Sequence, residues 1–138
     1  MIDKSTKLVY SLFLLRVSVL LVMVMWTVDK FVNPAHAANI FDKFYAISGL
    51  GHQIVIAIAV AEMALLLMFF LGIKKTVSYG LVLFLHGAST LSSFNQYLSP
   101  FEGAHLLFFA AWPMLAACIT LFLFKDEDTL LQVDRRFS

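Results

Sequence analysis

The chain has 138 residues, of which 61% are hydrophobic and 14% charged, with a formal net charge of +1. So apolar a composition excludes an ordinary water-soluble domain, which is about half apolar, and so small a charge excludes the basic footprint of nucleic-acid binding. The single cysteine, Cys118, excludes an internal disulfide, a dithiol relay and a cysteine metal cluster; in its apolar stretch it reads as a small buried hydrophobe.

A bilayer core about 30 Å thick is crossed by roughly 20 apolar residues of helix, and four windows have that character. The first, Leu8 to Val28, follows Lys4 and Lys7 and precedes Ala35-His36-Ala37, a pattern similar to a signal peptide with its cleavage site. It is longer than a signal core and carries Arg16 in its middle, so it is expected to remain as a span. In the loop that follows, Ile40, Phe41, Phe44, Tyr45 and Ile47 recur at helical spacing around Asp42 and Lys43. This predicts a short interfacial helix over Asn39 to Ile47, lying across the bundle mouth and ended by Gly49 and Gly51. The second span, Ile54 to Ile73, leads through a tight turn at Gly72 to Thr76 into the third, Val77 to Phe94. A short turn around Ser99-Pro100 precedes the fourth, His105 to Phe124, and the acidic Asp126 to Asp128 reads as a solvated end. Unbroken apolar runs such as Ala64 to Leu71 leave no period-two alternation for a β-barrel.

Basic residues flank these spans unequally: Lys4, Lys7, Lys74, Lys75, Lys125, Arg135 and Arg136 fall on one side, Lys30 and Lys43 on the other. By the positive-inside bias both termini are cytoplasmic and the loop from Asp29 to His52 is extracytoplasmic. The expected fold is therefore all-α: one membrane domain over residues 1–138, an antiparallel four-helix bundle with an interfacial helix in its first outer loop.

A charge at the centre of a span costs about 2.5–3.5 kcal/mol on insertion scales, so an ionisable residue there calls for a partner or a function. Arg16, Glu62 and His86 are such residues, at roughly 12, 16 and 14 Å from the cytoplasmic ends at 1.5 Å per residue. At one common level they are expected to form a buried polar cluster, with Arg16 paired to Glu62 and His86 hydrogen-bonded nearby. Either an orienting ion pair or a ligand- or proton-handling site accounts for them. Along the third span Tyr79, His86, Ser89, Ser93 and Gln96 or Tyr97 recur on one face. Interhelical hydrogen bonding with close packing at Gly80, Gly87 and Ala88 explains that face as well as a ligand does.

In the fourth span Glu102 and His105 are one turn apart near the outer surface, Phe109 and Trp112 continue that face, and Pro113 predicts a kink. Asp29, Lys30, His52, Gln53 and Asn95 belong to the same outer level. Asp29, Lys30, His52, Asn95, Glu102 and His105 are the candidate outer-mouth ligands, for a quinone or another small molecule; interfacial polarity accounts for them equally. Haem ligation by His86 and His105 is disfavoured by their different depths. A metal site from His52, His105 and Glu102 rests only on the i, i+3 pair.

Leu15-Arg16, the run Trp26-Thr27-Val28-Asp29-Lys30-Phe31-Val32-Asn33-Pro34, and Ala61-Glu62 with Leu71-Gly72 farther on together resemble the DoxX-like membrane proteins. These are small four-span bundles with an arginine in span one, an acidic-lysine exit from it closed by proline, and a glutamate in span two. The resemblance covers nearly the whole chain by topology and touches Arg16, Asp29, Lys30, Pro34 and Glu62. The Trp26-Thr27 pair departs from it, since many relatives carry a small residue such as glycine there. It implies a bacterial cytoplasmic membrane and association with a redox system, several members being linked to quinone-dependent sulfur oxidation or methylamine utilisation.

Three functions follow as expectations. The first is an accessory subunit of a membrane redox complex, near a quinone or a partner's cofactor, in which His86 and the outer cluster exchange protons or bind a quinone carbonyl. The second is a small-molecule or metal binding or transport module opening to the extracytoplasmic side. The third is an assembly or structural subunit without a ligand. Autonomous catalysis is not expected, because no cofactor fingerprint, dinucleotide loop or nucleophile beside a base is present.

Overall fold

The computed structural model describes residues 3–133, so Arg135 and Arg136, counted above among the flanking basic residues, lie outside the described residues. The elements in chain order are α1 (Lys4–Val32), α2 (Pro34–Tyr45), α3 (His52–Leu71), α4 (Lys75–Ser92), α5 (Phe94–Leu98), a 3-10 helix (His105–Ala110) and α6 (Ala111–Leu123). Among the described residues there is no strand. Three helical stretches are long and apolar enough to cross a membrane: Lys4–Val32, His52–Leu71 and His105–Leu123. At 18 residues α4 is nearly as long as α3 but carries more polar side chains.

The helices pack by seams of near-heptad spacing. Leu12, Arg16, Val19, Met23 and Thr27 are buried on α1, and Val55, Ala59, Leu66 and Phe69 on α3, the spacing of residues facing a helical neighbour. Tyr79, Val82, His86 and Thr90 form the seam of α4, and Cys118 and Leu121 that of α6. Helix α1 packs on α3 and α6, and α4 packs on the same two, closing a ring of four around the core. A Cβ added to Gly80 would lie 3.3 Å from the Phe122 ring, which shows how closely α4 and α6 approach. The outward face is apolar too: Leu14, Leu21, Leu67, Phe84 and Leu91 are all more than half exposed. An exterior of this kind has no favourable contact with water and is suited to lipid.

Several local features differ from expectation. Pro34 starts α2 at its first turn, where its missing N–H costs nothing, so this helix begins five residues before the predicted Asn39. It ends at Tyr45, with Ala46 in the left-handed region (φ 54°) as the cap residue, before either predicted glycine. Gly72 does close α3 as a left-handed cap (φ 67°). The predicted kink at Pro113 takes another form: six residues of 3-10 helix precede α6, and Pro113 is the third residue of α6.

The largest departure is at the C-terminal end. After α6 the chain leaves helical structure and folds back over the end of the bundle where α3 turns into α4. Lys75 Nζ donates to the carbonyls of Lys125 and Asp128, both at 2.9 Å, and the Val133 N–H donates to the Leu71 carbonyl at 2.9 Å. Asp126 and Glu127 are exposed as a solvated end requires, but Asp128 is fully buried.

Candidate functional site

Arg16 occupies a seam position of α1 and is 0% exposed. Its partner is Asp128, at 3.5 Å and equally buried, and not Glu62 as the depth count suggested. Tyr79 of α4 lies between the two charges: Arg16 Nη1 donates to its hydroxyl at 3.1 Å and the hydroxyl donates to Asp128 Oδ2 at 2.7 Å. Gln132 Nε2 also donates to the Tyr79 oxygen, and Arg16 Nη2 donates to the Leu130 carbonyl. Arginine offers donors in a fixed planar fork, which is why one residue can tie a carboxylate, a phenol and a backbone carbonyl together. This network joins α1, α4 and the C-terminal segment as a latch across the bundle end.

Glu62 forms a separate pair at the other end of α1. Its Oε2 lies 2.9 Å from Lys30 Nζ and accepts from Thr27 Oγ1 at 3.1 Å. Lys30, expected among the outer-mouth ligands, instead reaches back along its helix, where its Nζ also contacts the Trp26 carbonyl at 3.4 Å. Helical side chains tilt toward the N-terminus, which here carries the ammonium inward. The two side chains are 14% and 18% exposed, between a surface pair and a sealed one. Replacing Glu62 by Leu frees Lys30 to extend outward and is expected to cost about 1 kcal/mol. Replacing Lys30 by Leu strands the carboxylate and is expected to cost about 2–3 kcal/mol. Chemical unfolding in mixed micelles measures both; equal losses would count against this asymmetry.

The outer candidates are not gathered into one site. Asp29 accepts from His36 Nδ1 at 2.7 Å, a contact made possible because the helix break at Asn33 turns α2 back. His105 Nδ1 pairs with Ser99, 2.8 Å from its carbonyl and 3.1 Å from its hydroxyl. His52, Asn95 and Glu102 are exposed; the His105 N–H donates to the Glu102 carbonyl at 3.0 Å, a main-chain turn, and no side-chain hydrogen bond or ion pair among the described residues joins the three side chains to Asp29, Lys30 or His105. Among the described residues no group of three His, Cys, Asp or Glu lies close enough to hold one metal ion.

His86 stands apart from both ion pairs, so the expected three-residue cluster is three separate polar sites. Its Nε2 lies 3.0 Å from the Ala111 carbonyl of α6 and 3.2 Å from the Thr90 hydroxyl, whose own hydrogen goes to the His86 carbonyl at 2.8 Å. Trp26 of α1 stacks on the imidazole, with ring centres 6.1 Å apart and planes inclined by 29°. His86 and Trp26 share the wall of a cavity of about 560 Å³ between α1, α4, the 3-10 helix and α6. The rest of the wall is largely apolar, with Val19, Val22, Leu107 and Met114 among its residues. Trp26 and Leu107 are 45% and 76% exposed, so the cavity opens sideways through the apolar flank of the bundle.

Among the described residues four buried side-chain atoms lack a hydrogen-bond partner: Arg16 Nε, Asp128 Oδ1, Gln96 Oε1 and His86 Nδ1. The first two belong to the latch, where each residue already has strong partners. Of the four, only His86 Nδ1 belongs to a residue of the cavity wall. Burying such a group unpaired costs about 1–3 kcal/mol, and a cost of that kind is commonly met at binding sites. No family model, curated protein or solved structure matches this chain.

Proposed function

We propose that this chain is an antiparallel four-span membrane protein with both termini on the cytoplasmic side, and that it holds a quinone-class lipophile beside His86 as an accessory subunit of a membrane redox system. The observation that carries the proposal is the cavity itself. Its volume falls within the roughly 300–1,000 Å³ usual for small-molecule sites, and it combines an apolar wall with very few polar groups, the usual make-up of such a site. A flank opening suits a ligand that arrives from the lipid. Helix α4 serves as the fourth span, its polar face turned to the core and Leu81, Phe84 and Leu91 outward. The meeting of Lys75 and Lys125 at one bundle end supports the cytoplasmic placement of that end. The resemblance to DoxX-like proteins supports the redox association.

The test is extraction of the protein purified gently from a quinone-containing membrane, with mass spectrometry of the bound lipids. A quinone-class lipid is expected at near one per chain, and a Met114→Trp variant, which fills the cavity, is expected to lose it. Equal, trace quinone in both proteins removes the proposal. The rival reading, a ligand or metal site at the outer mouth, is favoured by no geometry here, because its residues are dispersed.

A further inference from the structure

The wall of the cavity constrains which end of a ligand it can take, and in which chemical form. The Ala111 carbonyl oxygen can only accept, so the hydrogen of the imidazole is on His86 Nε2. A neutral imidazole carries one such hydrogen, and Nδ1 is then a lone-pair acceptor. No Asp or Glu lies within ion-pair distance of His86 among the described residues, and an imidazolium in this apolar wall would have no counter-charge. Nδ1 therefore awaits a donor.

The wall serines add to the same bias. Ser18 Oγ donates to the Leu14 carbonyl at 2.9 Å and Ser93 Oγ to the Ser89 carbonyl at 3.1 Å. Each of these hydroxyls has an acceptor on its own helix, which leaves its lone pairs for a donor; Ser89 can turn its hydroxyl either way. Arginine and lysine are missing from the wall, and the donors it retains for a carbonyl oxygen are the Trp26 indole N–H and the Ser89 hydroxyl, neither of them on the histidine.

We infer that the cavity selects a lipophile by a hydroxyl group, which donates to His86 Nδ1, so that of a quinone couple it holds the hydroquinone in preference to the quinone. The inference rests on the cavity being a ligand site, as proposed above, and reverses the expectation that His86 meets a quinone carbonyl. Trp26 stacks on the face of the imidazole, so a hydroxyl that reaches Nδ1 in the ring plane lies beside the indole, which makes Trp26 the natural reporter. The chemistry recognised is a hydroxyl on an apolar body, and a phenol-type ring or a long-chain alcohol both supply it.

The experiment uses the full chain in lipid nanodiscs with Trp112→Phe, so that Trp26 is the only tryptophan. Binding is followed by Trp26 emission for 4-nonylphenol, for its methyl ether 4-nonylanisole, and for 1-dodecanol. The phenol is expected to bind roughly tenfold tighter than the ether, the difference made by one hydrogen bond to a buried acceptor. His86→Phe is expected to bring the two affinities together; should that variant not fold, the phenol-to-ether ratio in the unmutated site stands alone as the test. Dodecanol matching the phenol identifies an alcohol-type ligand; dodecanol binding much more weakly identifies a ring, and both agree with the inference provided the ether is weak. Phenol and ether binding equally overturns the inference and leaves the cavity a ligand site. No binding by any probe overturns both.

Discussion

Asp128→Leu is expected to destabilise the protein by about 3–5 kcal/mol, as breaking a buried ion pair on one side does. The variant leaves the Arg16 guanidinium at 0% exposure with a phenol and one backbone carbonyl for company. Tyr79 loses the oxygen its hydroxyl donates to at 2.7 Å, so the effect reaches α4 as well. The double variant Arg16→Met, Asp128→Leu removes the stranded charge and is expected to recover most of the loss, because apolar replacement of a whole buried pair is often neutral. Unfolding in mixed micelles gives the cycle. A loss below about 1 kcal/mol for the single variant, the range of a surface pair, would mean that the two charges are hydrated.

Replacing residues 128–132 by a Gly-Ser stretch of equal length is expected to have the larger effect. It removes the Asp128 carboxylate and the Gln132 amide together and leaves the main-chain carbonyl at position 130 on a segment that no side chain holds in place, so every contact the segment makes with Arg16 and Tyr79 is lost or loosened. The end of the bundle then opens locally while the apolar seams between the helices persist. Cys118, the chain's only cysteine, is 2% exposed on α6 and reports such opening without added labels. Its maleimide labelling in the folded protein is expected to rise at least tenfold, the factor that about 1.4 kcal/mol of lost protection produces. Unchanged labelling together with unchanged stability would show that the segment rests on the bundle without holding it.

The helices were legible because their signal is local: three of the four apolar windows fall in helical stretches long and apolar enough to cross a membrane, and the fourth, Val77 to Phe94, is helical but more polar. Boundaries were harder. Pro34 read as the close of an exit motif, yet its fixed φ also makes it a good first-turn residue, and that second property sets where α2 starts. The partner of Arg16 was missed for a different reason. Depth counting compares residues inside spans, whereas Asp128 lies beyond the last apolar window, which ends at Phe124, and returns through turns that carry no periodicity. A hint was available in Leu130-Leu131, an apolar pair following an acidic stretch, which is poorly suited to a solvated end. His86 was recognised as interior, but its partner is the Ala111 main-chain carbonyl, and sequence does not advertise such acceptors. Trp26, which departs from the small residue of the resembled family, acquires a reason in the structure: its indole covers the imidazole.

The latch also sets an order of events during synthesis. Arg16 is among the first residues made, while the Leu130 carbonyl that it binds lies 114 positions later. At about 5–20 residues per second, the first helix waits on the order of 6–23 s before its guanidinium can be neutralised. Through that interval the arginine is unpaired, which at the centre of a span costs up to about 2.5–3.5 kcal/mol and less where the side chain reaches the interface. Arg16 lies 12 residues from the start of α1, near enough to that end of the helix for its long side chain to reach toward the headgroups meanwhile. The last contact of the bundle to be synthesised is thus the one that neutralises its first helix, and a chain without residues 128–132 keeps an uncompensated cation there.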